Sequence, residues 1–208
     1  MTTKYNYYSL LVFLCLFFAQ FYPQISSAYQ TISESGELIS ADNYRFGFET
    51  QFGSGANLTG FVDAPLNEVS QLRVLAGTGD VDFYAGVSYK WIPFPDLEKQ
   101  PAVGLRVGSA IGRETTDNFV AFSGSPLVSK KIETPQGLAI PYLALPITYT
   151  SHKSKTTNAL QLAIGSEFNT PELKKWGFGG ELGINIKDSQ SYIAFFATII
   201  MDENIRGK

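Results

Sequence analysis

The chain is poor in the residue types that build disulfide frameworks and metal centres. It has one cysteine, Cys15, and one histidine, His152, in 208 residues. These counts exclude a disulfide framework and a Cys/His metal cluster, so we expect no metal and no other cofactor. The formal net charge of −3 offers no basic surface for nucleic acid. Hydrophobic residues make up 44% and aromatic residues 14% of the chain, which is enough for one folded domain.

The N-terminal residues are organised as an export signal. Lys4 precedes a short apolar run at 9–19, and the small residues Ser26 and Ala28 follow it. A charged start, an apolar core and small residues at the −3 and −1 positions are typical of a secretory signal peptide. The apolar run is too short for a transmembrane helix, which needs about 20 residues. We therefore expect residues 1–28 to be a signal peptide that is cleaved after Ala28.

Residues 101–112 alternate between bulky apolar side chains and small or charged ones. Leu105 and Val107 fall on one face, whereas Gly104, Arg106 and Gly108 fall on the other. A period of two is typical of a β-strand whose faces meet different environments. Comparable runs, separated by turn residues, follow one another at 44–53, 57–62, 70–77, 81–91, 101–112, 119–132, 138–150, 158–168, 176–187 and 191–201.

These runs predict an all-β protein with one domain at 44–201. Because the connections are short and no helical period intervenes, we expect a closed antiparallel up-and-down β-barrel of eight to ten strands. Residues 29–43 are polar and aperiodic, which predicts a flexible mature N-terminus, and residues 202–208 form a polar C-terminal tail. Within the barrel, Pro126 predicts a bulge or break in its strand.

Glycine indicates which face of the barrel points inward. A soluble barrel buries its apolar face, whereas a membrane barrel turns that face to lipid and keeps a polar lumen. Glycine weakens a strand, but inside a narrow lumen it leaves room for the few large charged side chains. The glycines predicted to line the lumen are Gly47, Gly86, Gly104, Gly108, Gly112, Gly165, Gly179 and Gly183. We therefore expect a transmembrane barrel whose apolar face is turned outward.

The charged side chains on the glycine face are nearly balanced in sign. We expect them to pair across the lumen, because buried charges need partners. The predicted network contains Arg45, Arg73, Lys90, Arg106 and Lys187 together with Glu49, Asp82, Glu167 and Glu181.

A signal peptide followed by alternating strands of about ten residues resembles the small outer-membrane β-barrel proteins of Gram-negative bacteria. The resemblance covers residues 44–201 and is one of pattern. It implies an outer-membrane location, contact with the lipid bilayer, and insertion by the barrel-assembly machinery. It also implies a structural or interaction role without catalysis. One departure is the C-terminus: members commonly end on a strand with a terminal phenylalanine, whereas here the last strand ends at Met201 before the polar tail.

Two other functions are compatible with the sequence. With the faces reversed, the chain would be an exported soluble barrel that binds an apolar ligand, as lipocalins do, with Leu105 inside and Arg106 in water. The second alternative is a membrane-embedded lipid hydrolase. His152 and Ser154, with Glu167 on the next strand, resemble the catalytic groups of the outer-membrane lipid A deacylases, which are also small barrels.

Overall fold

The computed structural model of the protein describes residues 31–97, 100–153, 155–173 and 175–202. The predicted signal peptide and residues 203–208 of the predicted tail lie outside this part of the chain. None of the described residues belongs to a helix long and apolar enough to cross a membrane. The strands are β1 (Asn43–Phe52), β2 (Ala56–Asn67), β3 (Ser70–Gly79), β4 (Phe83–Phe94), β5 (Ala102–Glu114), β6 (Asp117–Ser129), β7 (Ile132–Thr134), β8 (Gly137–Ala144), β9 (Ile147–His152), β10 (Lys155–Asn169), β11 (Trp176–Lys187) and β12 (Tyr192–Asp202).

These strands form one closed antiparallel barrel. The first strand pairs with the last, from Asn43 opposite Asp202 to Phe52 opposite Ile193, and this pairing closes the sheet. Strands β8 and β9 lie end to end between β6 and β10 and share one position in the wall. The three-residue β7 is an appendage paired with β8. The wall therefore has ten strand positions, which confirms the predicted closed barrel.

The two ends of the barrel differ in what they carry. We call the end that holds the first residue of β1 and the last residue of β12 the proximal end. The opposite, distal end holds the turns that follow β1, β3, β5 and β11. Thr115 and Asp188, in two of these distal turns, have positive φ angles of 56° and 48°. Tight turns use this left-handed conformation, which is ordinary for an aspartate and disfavoured for a β-branched threonine.

The break in the wall lies at Pro146, not at Pro126 as the sequence predicted. Strand β6 runs through Pro126 in unbroken register with β5. The Pro126 carbonyl accepts a hydrogen bond from Leu145 N at 3.1 Å. The side of Pro126 that lacks an N–H therefore faces the wall position that β8 and β9 share. That is where β8 ends and β9 begins. The two prolines, neither of which can donate to the ladder, therefore share one interruption.

Where one face of a strand is charged or small and the other is apolar, the apolar face points outward. On β5, Leu105 is 39% and Val107 42% exposed, whereas Arg106 between them is 4% exposed. The soluble-barrel alternative, which places Leu105 inside and Arg106 in water, is therefore wrong about which face of the strand points inward. The face that carries Arg106 therefore lines the interior of the barrel.

The N-terminal described residues lie inside the barrel. Residues 31–36 are buried, and Ser35 is fully enclosed. The prediction of a flexible segment at 29–43 is wrong for this stretch, because hydrogen bonds from the barrel wall hold its backbone. We call residues 31–37 the plug. The plug is connected to β1 at the proximal end through residues 38–42.

Candidate functional site: a plugged, charged lumen

Aromatic rings on the inner wall lie over glycines of the neighbouring strand. A Cβ atom on Gly183 would lie 2.0 Å from the ring of Tyr192, and one on Gly165 would lie 2.2 Å from the ring of Tyr142. In both pairs the glycine and the aromatic residue are directly opposite in register. Covering a glycine with a cross-strand ring is a known device for stabilising curved sheets. The pairs are Gly47–Phe61, Gly77–Tyr84, Gly112–Phe119, Gly165–Tyr142, Gly179–Phe196 and Gly183–Tyr192.

The other glycines predicted for the lumen also face inward. A Cβ atom on Gly104 would lie 2.3 Å from Ile92 Cδ1, and one on Gly108 would lie 3.0 Å from Ser88 Cβ. Gly86 shares the inward face of Ser88 on β4. The sequence predicts that large charged side chains occupy the space above these glycines. In the structure, aromatic rings take much of it.

Gly183→Ala is expected to lower the free energy of unfolding by about 1–3 kcal/mol, the usual range for overpacking a filled interior. The Tyr192 ring would have to move, yet its hydroxyl is held by Glu181. Urea unfolding of the barrel in lipid vesicles measures the change. Gly124→Ala is the matched control, because a Cβ atom there would meet nothing within 4 Å. Equal losses in the two variants would contradict the role given to the ring-covered glycine.

The plug backbone donates its N–H groups to carboxylates on one wall of the lumen. Ser35 N donates to Glu167 Oε1 on β10 at 2.7 Å. Ile32 N and Ser33 N donate to the two oxygens of Glu181 on β11, at 3.0 and 2.8 Å. The β10–β11 wall is therefore the acidic side of the site. Charge-assisted bonds of this kind are stronger than those between neutral groups.

The plug carbonyls accept hydrogen bonds from cations on the opposite wall. Arg106 Nη1 on β5 donates to Thr31 O at 3.1 Å and to Ile32 O at 2.7 Å. Lys90 Nζ on β4 donates to Ser35 O at 2.9 Å. The lumen thus presents cations to the carbonyl side and carboxylates to the N–H side of one peptide segment. These bonds satisfy polar backbone groups that could not otherwise be buried.

Glu34 is the only acidic residue among residues 31–36. Its side chain lies at the centre of the group of cations on the barrel wall. Its side chain is 1% exposed and lies 3.1 Å from Lys90 Nζ, 3.3 Å from Arg73 Nη2, 3.4 Å from Arg106 Nε and 3.5 Å from Arg45 Nη2. One carboxylate therefore offsets part of the charge of four buried cations. Such a group stabilises the site because removing it would leave those cations unpaired.

Asp63 holds two of these cations in place from the barrel wall. It accepts hydrogen bonds from Arg45 Nε at 2.7 Å and from Arg73 Nε at 2.6 Å, and it is fully buried. The Arg73 guanidinium also lies 3.9 Å from the ring centroid of Phe61. A guanidinium fixed by a carboxylate and an aromatic face is pre-organised for a second anion. Glu34 supplies that anion.

The backbone at Ser33 is bent so that two successive N–H groups meet one carboxylate. Ser33 has a φ angle of 42°, in the left-handed region. Alternating right- and left-handed residues form a concave nest of N–H groups that binds anions. The anion here is Glu181, which also accepts hydrogen bonds from Tyr142 Oη at 2.7 Å and from Tyr192 Oη. Glu181 is therefore held by the wall and the plug together.

Ser33→Val is expected to destabilise the docked plug by about 1–3 kcal/mol, because a β-branched residue is strongly disfavoured at positive φ. Ser33→Gly is the matched control. It too loses the buried hydrogen bond from Ser33 Oγ to Thr31 Oγ1, but it should destabilise the plug less than valine does, since glycine adopts this conformation freely. Denaturant unfolding of both variants gives the comparison. A glycine variant as unstable as the valine variant would show that the side chain of Ser33, not its backbone geometry, holds the plug.

The structure brings most of the predicted charge network together. The predicted members that are buried in the lumen are Arg45, Glu49, Arg73, Lys90, Arg106, Glu167 and Glu181. Asp82 and Lys187 remain outside, and both are exposed. Asp82 lies in the turn after β3, and Lys187 is the last residue of β11. At the rim of the barrel a charged side chain reaches water, so it needs no partner in the lumen.

Two central residues are missing from the predicted network. Asp63 continues the inward alternation of Thr59 and Phe61 along β2, but the proline at 65 made the segment look like a turn. Extending the period-two pattern through that proline would have found it. Glu34 lies in a segment without any period, so the sequence carried no signal that it is buried.

His152 and Glu167, two of the three groups considered for lipid hydrolysis, do not meet. His152, at the distal end of β9, pairs in register with Lys155 at the start of β10, and its ring centroid lies 5.7 Å from that of Phe119. Glu167 is twelve positions further along β10 and binds the plug. Ser154 lies outside the described residues. A base and its orienting carboxylate must be within hydrogen-bond reach. His152 lies at the distal end of β9, whereas Glu167 lies near the proximal end of β10.

A separate charged contact fastens the loop after β4 at the proximal end. Asp96 accepts hydrogen bonds from Lys130 Nζ and from the backbone N–H of Lys131. Partial burial raises the pKa of Asp96, but these bonds and the two lysine charges outweigh it and hold the pKa below its usual value. The carboxylate therefore stays charged and keeps the loop against the wall.

Little free volume remains in the lumen. A cavity of about 10 Å³ persists beside Thr31 and Glu49. This is room for about one water molecule. At the proximal end, a second cavity of about 210 Å³ lies where residues 37–40 leave the lumen, against Arg45, Glu167 and Asn169. The site is therefore filled in its distal half and open at the proximal mouth.

No known protein family matches this chain, and no curated protein matches it either. Among solved structures, it is similar to a chain from the de novo design of transmembrane β-barrels, with 12% identity and a TM-score of 0.41 over 79% of this chain and 100% of that chain. It is also similar to the N-terminal β-barrel domain of OprF from Pseudomonas aeruginosa, with 7% identity and a TM-score of 0.33 over 77% of this chain and 98% of that chain. Because both scores are low, the function is derived below from the geometry of this chain.

Proposed function

We propose that this protein is an outer-membrane β-barrel that spans the bilayer with a filled lumen and has a structural or interaction role without catalysis. The observation that carries the proposal is the inverted distribution of side chains: the barrel buries its charged residues and exposes its apolar ones. This arrangement suits a surrounding of hydrocarbon.

The outward apolar side chains form a belt around the barrel. Nearly every position in the wall contributes to it, so the belt is far larger than the apolar patches of soluble monomers, which are a few hundred Å². Members of the belt include Phe48, Leu58, Val74, Val87, Val107, Phe122, Leu143, Ile164, Leu182 and Phe195.

Closure of the sheet supports the same proposal from the backbone side. A polar N–H or C=O group without a partner costs several kcal/mol in hydrocarbon, so only helices and closed barrels cross a bilayer. The pairing of β1 with β12 closes the wall of ten strand positions. The wall can therefore face lipid around its whole circumference.

The filled lumen supports a closed barrel and argues against a diffusion pore. Among the described residues, the plug, aromatic rings and ion pairs fill the lumen around a cavity of about 10 Å³. In planar lipid bilayers we expect the folded protein to insert without a steady ionic conductance. A stable open channel from the unmodified protein would contradict a closed lumen.

Membrane insertion is tested with the mature protein reconstituted into lipid vesicles. We expect it to resist extraction by alkaline carbonate and to migrate differently on gels before and after heating, as a folded barrel does. A mature chain that stays monomeric in plain buffer without detergent would overturn the membrane proposal. In that case the exposed apolar belt would need another cover.

The outer-membrane location and insertion by the barrel-assembly machinery rest on the predicted signal peptide at 1–28 and on the barrel itself. Fractionation of a Gram-negative host that expresses the full chain tests both. We expect the processed protein in the outer-membrane fraction. Depletion of the assembly machinery should reduce that fraction, and an unchanged level would exclude this partner.

A further inference from the structure

The lumen has the form of a blind pocket. In the part of the chain that the structure describes, its distal half is packed with a cluster of buried apolar side chains that includes Phe61, Val81, Tyr84 and Phe119. Its proximal half holds the plug and opens through the cavity of about 210 Å³. Withdrawal of the plug would therefore leave a pocket open at one end, not a channel through the barrel.

The barrel recognises the plug mainly through its backbone. Every plug residue except Glu34 offers at least one main-chain N–H or C=O group to a barrel side chain. Backbone contacts of this kind do not depend on the side chain that the segment carries. The binding surface thus fits a peptide backbone that bends at position 33, with the N–H groups of positions 32, 33 and 35 turned to β10–β11 and carbonyls turned to β4–β5.

Two positions of the plug add selectivity. Position 34 needs a carboxylate, because three cations of the wall, Arg73, Lys90 and Arg106, lie within 3.4 Å of it. Position 36 needs glycine: its N–H donates to Ser129 Oγ, and a Cβ atom there would lie 2.7 Å from that oxygen. The preferred ligand is therefore a segment with an acidic residue followed two positions later by glycine.

The plug can leave without opening the wall. Its apolar anchors are Ile32, in a buried cluster, and the partly buried neighbour Leu38. Most other contacts are polar, and water can replace them. Ala41 and Asp42, which lead to β1, are exposed at the proximal end. The covalent connection thus runs through the open mouth of the pocket.

We propose that the lumen is a peptide-binding socket whose resident ligand is the chain's own residues 31–37. The socket accepts an acidic peptide of the same pattern, bent at the position of Ser33, in trans when the plug is withdrawn. This goes beyond the proposed structural role, and it rests only on the part of that role which treats the lumen as filled by the plug.

The test cuts the folded protein at the exposed turn. A protease recognition sequence is inserted between Ala41 and Asp42, the full chain is folded in detergent micelles, and the protease is then added. The cut protein is incubated with excess fluorescent peptide of residues 31–41, and binding is followed by fluorescence anisotropy. We expect the labelled peptide to replace the original fragment and to be retained, whereas the uncut protein should retain none.

Peptide variants serve as controls that leave the barrel unchanged. Peptides with Glu34→Gln or Gly36→Ala should bind at least about tenfold more weakly, because each leaves buried charges or a buried hydrogen bond unsatisfied. A peptide with Ile39→Ala, outside the plug, should bind like the parent. Equal binding of all four peptides would overturn the assignment of the socket.

Heat-dependent gel mobility shows whether the cut barrel is still folded. A folded cut barrel that never accepts the labelled peptide overturns the socket, whatever the fate of the original fragment. Insertion of the same preparation into vesicles is measured separately. Failure to insert would count against the proposed membrane function, while the peptide result in micelles would still decide the socket.

Discussion

Glu34→Gln is expected to lower the free energy of unfolding by about 3–5 kcal/mol, the range found when one partner of a buried ion pair is removed. Glu34 is the only carboxylate within salt-bridge distance of Lys90 and Arg106 among the described residues. Glutamine has nearly the same shape, so the loss would reflect charge and not packing. Arg73 keeps Asp63 as a partner and is affected less.

The free energy of unfolding is measured by urea titration of the barrel in lipid vesicles. Glu37→Gln is the matched control at the mouth of the lumen. Glu37 pairs with Lys131, and their side chains are 23% and 42% exposed, so its loss should change stability by about 0–1 kcal/mol. If the two variants lose similar amounts, the plug carboxylate is not the centre of the charge network.

Val74→Arg is expected to destabilise the membrane-inserted barrel by about 2–4 kcal/mol, as charged residues do on the lipid face near the bilayer centre. Val74 is the fifth residue of the ten-residue β3, points outward with 56% exposure, and lies between Val62 and Val87 in register. Its side chain therefore stands near mid-height on the apolar belt.

Leu66→Arg is the control for depth. Leu66 is similarly exposed at 55% but is the penultimate residue of β2, at the proximal rim. Near the interface, the same charge should destabilise the barrel by about 0–1 kcal/mol. Unfolding from vesicles compares the two variants. An equal penalty at both sites would contradict the membrane orientation that we propose, because only a bilayer makes the penalty depend on height.

Much of the barrel could be predicted from local pattern. The alternation around Arg106 identifies a strand and its two faces, because side chains of a strand point to opposite sides at every step. The glycine bias identifies the inner face, since Gly165 and Gly183 leave space that only a crowded interior uses. Pro126 misled the prediction of the break, because its effect depends on the neighbouring strand and not on its own.

The lumen could be predicted only in part. Arg45, Arg73 and Glu181 lie on the inner face by parity, so they could be identified before their partners were known. Which charges meet depends on height and register around the closed wall. That is why Lys187, with inward parity but at a strand end, stays outside the network, whereas Asp63, which was assigned to a turn, lies near its centre.

By itself, the sequence determined the strands, their two faces and the number of positions in the wall to within two. These features follow from the alternation of side chains along each strand, which depends only on residues close together in sequence. Only the tertiary structure decided that residues 31–37 fill the lumen and that Glu34 lies among its cations. A segment without a period has no preferred face of its own, so its position is set by hydrogen bonds and charges that come together only once the barrel has closed.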